Sequence, residues 1–326
     1  MTYEFWNNKS VLITGGSGFI GTHLTKALLF QGAKISIMDV SSKMAILFNI
    51  FSNNKKLEYK IINIIDLDWL NFFKENDFDI IFHLAGNANV NLSVDDPYLD
   101  FNLNVLTSIR LLETLRAISY SGKFIFPSSA AVYGNPMTLP IKEDDPTVPI
   151  SPYGVSKLTI ERYISIYSDL FGLKAASVRP FSVYGPGQKK LVVYDIIRKL
   201  YNNPNQLQLF GDGSQLRDFV YIDDVIKAMM LVAEKGKLIG EVYNLATGQE
   251  HSIKYLVETL CNLMNVNPKF IFSGSVRLGE PEKWAVSIKK ISDLGFIPEI
   301  SFIDGLQRTR DWYKEETKLT NNPGGN

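Results

Sequence analysis

Val11-Leu12-Ile13-Thr14-Gly15-Gly16-Ser17-Gly18-Phe19-Ile20-Gly21 is the stretch on which the reading of the whole chain turns. Val11, Leu12 and Ile13 form the short β-branched and apolar run of a buried strand. Gly15, Gly18 and Gly21 follow at the spacing G-x-x-G-x-x-G, and Phe19, Ile20, Leu24, Ala27 and Leu28 then recur at helical spacing up to Gln31-Gly32. The order is strand, glycine turn, helix. Residues without a Cβ let backbone N–H groups approach a pyrophosphate at the helix N-terminus, and the last glycine lets helix and strand pack closely. Ordinary βα turns also use glycine, so the flanking sequence matters. A second strand, Lys34 to Met38, ends in Asp39, eighteen residues beyond Gly21. A carboxylate there accepts hydrogen bonds from both hydroxyls of an adenosine ribose and repels a 2′-phosphate. The stretch therefore reads as a dinucleotide site, for NAD rather than NADP.

With 326 residues the chain has room for one large or two modest domains. Its 34 Lys and Arg balance 34 Asp and Glu, so no net field draws it to nucleic acid or membrane. A single cysteine, Cys261, excludes an internal disulfide and reads as a buried, inert thiol. Met1 to Ser10 has no apolar core of a signal peptide, and no apolar run approaches membrane-spanning length. The expectation is a soluble, cytoplasmic protein.

Strand candidates at 11–13, 34–39, 59–64, 80–85, 123–128 and 174–179 alternate with helical stretches near 19–31, 66–75, 98–119 and 153–171. This alternation, with strands apolar on both faces, predicts an α/β fold: a Rossmann-type doubly wound parallel sheet covered by helices. Ligands in such sheets bind beyond the carboxyl ends of the strands, where Gly15, Asp39, Asn63, Ala85, Ser129 and Phe181 fall. After Arg179-Pro180 the texture changes. Pro180, Gly185, Pro186, Gly187 and Pro204 interrupt the pattern, 206–221 reads as irregular and polar, and helices return near 223–235, 252–265 and 302–316. The division expected is a cofactor domain over 1–180 and a smaller C-terminal substrate-binding domain over 181–317. One strand, 241–245, is a candidate to return to the first domain. A disordered tail is expected over 318–326.

Two elements carry chemistry. Tyr153 and Lys157, in Ser-Pro-Tyr-Gly-Val-Ser-Lys, are four residues apart at the start of a predicted helix and share a face. An ammonium beside a phenol favours the phenolate, lowering its pKa from about 10 so that it exchanges a hydroxyl proton near neutral pH. Tyr153 is the only tyrosine of fifteen with a lysine at that position, although about one such pair is expected by chance. The second element is Pro127-Ser-Ser-Ala-Ala-Val-Tyr-Gly134, directly after the strand Lys123 to Phe126. A serine at a strand's carboxyl end can donate to a substrate oxygen as charge develops there, or simply satisfy loop backbone.

The ordered set Thr14-Gly-Gly-x-Gly-Phe-Ile-Gly21, His83-Leu-Ala-Gly86, Ser128-Ser-Ala-Ala-Val-Tyr-Gly134, Tyr153-x-x-x-Lys157 and Tyr184-Gly-Pro186 resembles the extended short-chain dehydrogenase/reductases. Within them it is most similar to the NAD-dependent nucleotide-sugar epimerase/dehydratase family, over about residues 9 to 313. The resemblance implies Ser129 and Tyr153 as catalytic residues, Tyr153 being the acid/base, with Lys157 also binding the nicotinamide ribose. It places NAD against Gly15, Gly18, Phe19, Ile20, Gly21, Asp39, Asn63, Ile64, Leu84, Ala85, Gly86, Asn104, Tyr153 and Lys157. His83 matches a packing position without a catalytic role. Leu209 to Asp224 resembles the family's nucleotide-binding segment, in which Arg217 contacts the diphosphate. Arg277-Leu-Gly-Glu280 resembles its second arginine element, where Arg277 grips the diphosphate and Glu280 a ribose. Paired guanidinium N–H groups suit a diphosphate, whereas Arg217 and Asp218 read alone are a surface ion pair. Phe210 could flank the base or belong to the core.

Five positions depart from the pattern. Ala130 and Ala131 stand where sugar 4,6-dehydratases carry an acidic pair, so dehydration is not expected. Ser182 replaces an asparagine that touches substrate phosphates, Ala88 a lysine near the cofactor, and Asn63 an aspartate at the adenine. The activity implied is C4 epimerisation of a nucleoside-diphosphate sugar through a transient 4-keto sugar. A net 4-dehydrogenase or 4-ketosugar reductase uses the same constellation, and a non-catalytic NAD-binding sensor is the alternative from another class. The family's dimers imply a homodimer joined through helices at about 98–119 and 153–171. Leu103, Leu106, Leu111 and Leu115 could line that contact or equally the sheet.

Overall fold

A computed structural model describes residues 3–41, 55–272, 274 and 283–321. Seven parallel strands form the central sheet: β1 Ser10–Thr14, β2 Lys34–Asp39, β3 Leu57–Ile61, β4 Ile80–His83, β5 Lys123–Pro127, β6 Lys174–Pro180 and β10 Ile239–Leu245. Their order is β10-β6-β5-β4-β1-β2-β3. Thr14 is in register with both Met38 and His83, so the carboxyl ends of β1, β2 and β4 line up at the point where the strand order reverses.

Strand alternation divides the core between two helical layers. Val11, Ile13, Ile80, Phe82 and Ile125 pack on one side with Leu24, Leu28 and Val225. Leu12, Ile81, Phe124 and Phe126 pack on the other with Leu111, Leu115, Ile160 and Ile164. Both faces are therefore dry, which is why these strands read as unbroken apolar runs. The expected return of 241–245 occurs as β10, paired along β6 with a register shift between Ile239 and Glu241.

The helix Pro152–Phe171 is well specified at both ends. Ser151 Oγ accepts from Gly154 N at 3.2 Å, Pro152 occupies the first turn, and Gly172 closes it in the left-handed region at φ 70°. Three expectations need correction. The single helix expected over 98–119 is instead Pro97–Phe101, a π-helical segment Asn102–Leu106 and Thr107–Ala117, preceded by a short helix Val90–Asp95. The stretch 206–221 is not irregular: it contains β8 Gln206–Leu209 and β9 Leu216–Tyr221, which pair with strands remote in sequence. The last helix runs Phe302–Asn321, past Lys318 where a tail was expected.

The smaller part of the fold carries two further sheets. β7 Ser182–Tyr184 and β11 Glu250–Ser252 flank β9, and β12 Lys269–Phe272 pairs with β8. Cys261 is buried. Among the described residues no helix is long and apolar enough to cross a membrane.

Candidate active site

At the end of β1 the backbone itself forms the floor. Gly15 has φ 71°, and a Cβ on it would lie 2.6 Å from Ala85 N. A Cβ on Gly21 would lie 2.6 Å from Gly15 O, so the turn and the helix Phe19–Phe30 approach only because these residues are glycine. Gly18 caps that helix without a side-chain hydrogen bond, leaving first-turn N–H groups directed outward. Phe19 and Ile20 in that first turn are partly buried against the core. Asp39, at the end of β2, accepts from Ser17 N and from Ser41 N, each at 3.0 Å, which places its carboxylate beside the glycine turn.

A directional chain of hydrogen bonds ties this floor to the neighbouring helix. Ala85 N donates to Thr14 Oγ1 (3.2 Å), Thr14 Oγ1 pairs with His83 Nδ1 (2.8 Å), His83 Nε2 pairs with Ser108 Oγ (3.0 Å), and Ser108 Oγ donates to Asn104 O (2.6 Å). Since the Ser108 proton is committed to Asn104 O, His83 Nε2 carries the hydrogen and Nδ1 accepts from Thr14. Burial, with the Lys157 charge adding to it, holds the imidazole's pKa down at about 3. His83 is thus a neutral structural joint, as its packing position implied.

Asn104 lies in the π-helical segment, buried beside Gly86. Its Nδ2 donates to Asp100 Oδ1 at 2.9 Å, while its Oδ1 is buried with no hydrogen-bond partner among the described residues. Leu84 N donates to Thr14 O at 3.0 Å, which sets the Leu84-Ala85-Gly86 loop over the end of β1. Ile64 is buried in the core layer containing Leu12. Asn63 is exposed and turned into its own loop, with Oδ1 accepting from Ile65 N (3.2 Å) and Nδ2 donating to Asp66 (3.1 Å). Both ends of that amide therefore serve a local turn.

Ser129, Tyr153 and Lys157 meet at the end of β5. Ser129 ends the strand's exit, its Oγ accepting from Ala131 N at 3.2 Å, and it lies beside the Tyr153 phenol. Lys157 Nζ donates to Pro127 O at 3.1 Å and lies 4.6 Å from the Phe126 ring centre and 5.8 Å from that of Tyr153. Tyr153 and Lys157 share a helix face, as their spacing predicts. The expected lowering of the phenol's pKa by the ammonium is not what the geometry gives. Burial pushes the Tyr153 phenol up to about 12; the Ser129 hydrogen bond pulls it down and the Asp100 charge raises it. Burial also brings Lys157 down to about 8, against the opposing effects of Asp100 and Glu161. The ammonium lies over the tyrosine ring and donates to the Pro127 carbonyl.

On the other wall, Arg217 and Asp218 are both buried and are not a surface ion pair. Arg217 stacks over Trp284 at 5.2 Å, whereas Asp218 accepts from Thr247 N, Thr247 Oγ1 and Gly248 N at 2.7–2.8 Å. Trp284 in turn meets Phe181 edge-on at 5.5 Å, directly before Ser182 on β7. Ser182 is half-buried, and Phe210 is exposed near Lys199 rather than part of the core. Arg277 and Glu280 lie outside the described residues. Sequence reasoning missed Trp284, Asp100, Asn87 and Ser156. Asp100 had one usable signal, a carboxylate four residues before Asn104 on a predicted helix.

The crowded glycines, the uncapped helix N-terminus, the carboxylate ending β2 and the unpartnered Asn104 Oδ1 together fit a dinucleotide of the NAD type. A model of the NAD dependent epimerase/dehydratase family matches residues 11–246. A UDP-glucose 4-epimerase of Mycolicibacterium smegmatis is 31% identical over 94% of this chain and 99% of its own length. Two solved structures superpose with a TM-score of 0.86 at 30% identity. One is the UDP-N-acetylglucosamine 4-epimerase of Methanobrevibacter ruminantium M1 in complex with UDP-N-acetylmuramic acid, with 95% of this chain and 99% of that chain covered. The other is the UDP-glucuronic acid 4-epimerase of Bacillus cereus in complex with UDP-glucuronic acid and NAD, with 94% and 99% covered.

The neutral joint makes a prediction about stability. The folded state leaves His83 unprotonated down to about pH 3, while the unfolded imidazole takes up its proton near 6.5. Its folded pKa is depressed, so its contribution is whole above 6.5 and falls by about 1.4 kcal/mol per pH unit on acidification below it. Between pH 7.5 and pH 5 the wild type is expected to lose about 2 kcal/mol more than His83→Gln, measured by urea unfolding. Equal losses in the two proteins would refute the assignment.

Proposed function

The chain belongs to the NAD dependent epimerase/dehydratase family, and from that premise we propose that it is an NAD-dependent nucleotide-sugar 4-epimerase. The observation that carries the reading is the meeting of Ser129 with Tyr153 at the carboxyl end of β5, above Lys157 and beside the glycine floor of β1. Bound NAD supplies a hydride acceptor at C4 of the sugar and the donor for the return. Tyr153 takes the proton of the 4-hydroxyl and gives it back. Ser129 donates to the same oxygen as it becomes a carbonyl. Lys157, held by Pro127 O, keeps a cationic donor under the cofactor's ribose. Leu84, Ala85, Gly86 and Asn104 line the same floor, and Asp39 takes the adenosine ribose.

The substrate proposed is a nucleoside-diphosphate sugar. Arg217, backed by Trp284, faces the diphosphate with Arg277; Glu280 and Phe210 hold the ribose and the base, and Ser182 lies toward the phosphates. Ala130 and Ala131 bring no acid to the sugar's C5 and C6, so the site is built to return hydride rather than to eliminate water. Inversion then requires the 4-keto sugar to turn over inside the pocket before the return.

A homodimer accompanies this reading. Val155, Tyr163, Ile166 and Leu170 form an exposed apolar stripe along the helix Pro152–Phe171, beside the exposed Val94, Tyr98, Phe101 and Leu106. Leu111 and Leu115 are instead buried in the core layer against the sheet. Sedimentation or light scattering is expected to give twice the 36.8 kDa chain mass; a monomer at micromolar concentration would remove this element of the proposal.

The activity is tested on freshly purified protein with no added NAD, incubated with UDP-, GDP-, dTDP- and CDP-sugars and followed by NMR and by absorbance at the NADH band. An inverted C4 centre without net absorbance change is expected. A stoichiometric NADH signal that stalls until an oxidant is added would make it a 4-dehydrogenase instead. Tyr153→Phe is expected to reduce turnover by at least about a hundredfold while leaving NAD binding within about twofold. Substantial residual turnover would refute the role given to Tyr153.

A further inference from the structure

Asp100 is fully buried, yet the acid/base chemistry above does not use it. Its carboxylate accepts three hydrogen bonds from three different elements. Asn87 Nδ2, in the loop after β4, donates to Oδ1 at 2.7 Å; Asn104 Nδ2, in the π-helical segment, donates to the same oxygen at 2.9 Å. Ser156 Oγ, next to Lys157 on the helix Pro152–Phe171, donates to Oδ2 at 2.7 Å. Asn87 has no freedom left: its Nδ2 also donates to Asn89 O and its Oδ1 accepts from Asn89 N.

Asn104 is different. A side-chain amide can present either its oxygen or its nitrogen to a given neighbour, and the network decides which. A carboxylate only accepts, so Asn104 must turn its NH₂ toward Asp100. Its Oδ1 is then forced to the other side, where it lies over Gly86, closer than van der Waals contact to where a Cβ on that glycine would sit. There it is buried with no partner among the described residues. A buried acceptor without a donor is costly unless a ligand supplies one. The groups fitting that place are the ribose hydroxyls or carboxamide N–H of the cofactor.

We infer that Asp100 is a positioning residue, which sets the polarity of the Asn104 amide so that an acceptor oxygen, not an N–H group, faces the bound dinucleotide. This rests on the cofactor reading given under the proposed function. The carboxylate acts through Asn104 and touches neither cofactor nor substrate. Asp100→Asn preserves the shape and supplies an NH₂ of its own, so the Asn104 amide can turn over and oppose its own N–H groups to the ligand's.

The test is a double-mutant cycle read by fluorescence titration with NADH on the full chain. Asp100→Asn and Asn104→Ala are each expected to weaken NADH binding by between about tenfold and about a hundredfold. The double variant is expected to bind within about twofold of Asn104→Ala alone, because Asp100 has nothing left to orient. Should Asp100→Asn not fold, Asp100→Ser, whose hydroxyl can likewise donate, takes its place in the cycle. Losses that multiply in the double variant would mean that Asp100 matters only to the fold, and would overturn the inference while leaving the cofactor reading intact. A wild type that takes up no NADH would sink the cofactor reading, and this inference with it.

Discussion

His83 lies without solvent exposure between Thr14 and Ser108, and its neutral imidazole joins three elements that the chain brings from far apart. One nitrogen accepts and the other donates, so the chain of bonds from Ala85 N to Asn104 O has a single direction. A charged imidazole would donate from both nitrogens and take away the acceptor of the Thr14 hydroxyl proton. Burial makes that state unfavourable, which is why the joint stays neutral. The glycine floor, the loop after β4 and the π-helical segment keep their mutual positions on this condition.

The π-helical segment belongs to the same arrangement. An inserted residue breaks the regular backbone ladder, and the carbonyls it disturbs need other donors. Thr107 Oγ1 donates to Leu103 O and Asn104 O, and Ser108 Oγ donates to Asn104 O. Two adjacent hydroxyls thus supply hydrogen bonds where the ladder is irregular, and the shift carries the Asn104 side chain over Gly86. Buried charge is handled with equal economy on the helix Pro152–Phe171. Glu161, one turn after Lys157, forms a bidentate pair with Arg179, with N–O distances of 2.9 and 2.6 Å. Arg179 also donates to the Tyr133 hydroxyl at 2.6 Å. A lone buried carboxylate there would cost several kcal/mol.

Most of the sheet could be read from the sequence because each strand is buried on both faces, and apolar runs record that directly. The returning strand was legible for the same reason in Tyr243 and Leu245. β8 and β9 were not, since Gln206, Gln208 and Arg217 alternate with apolar residues in a stretch rich in glycine and aspartate. Their pairing partners, β12, β7 and β11, lie tens of residues away, so local pattern carries little of the signal. The candidate site residues are named largely by resemblance, with spacing alone supporting only the glycine turn and the Tyr153–Lys157 pair. Asp100 and Trp284 stayed hidden because their roles depend on contacts across the fold: Asp100 with a loop and a second helix, Trp284 with Arg217 and Phe181.

Helical spacing placed Tyr153 and Lys157 on one face but did not reveal the medium between them. In water, an ammonium near a phenol would favour the phenolate. In this site the larger effect is loss of solvent, which disfavours both charged forms and drives the two pKa values apart, Tyr153 up to about 12 and Lys157 down to about 8. Ser129 is the polar group that favours the phenolate, while Asp100 opposes it and favours the ammonium. Proton abstraction at neutral pH therefore needs further positive charge beside the phenol. The oxidised nicotinamide ring carries such a charge and the reduced ring does not. With NAD bound, the charge of the oxidised ring would favour the phenolate of Tyr153 when an alcohol is to lose its proton, and loss of that charge on reduction would favour the phenol when the ketone is to regain it. A closed cycle of oxidation and reduction asks for that alternation, and a dry pocket gives each change of charge its weight.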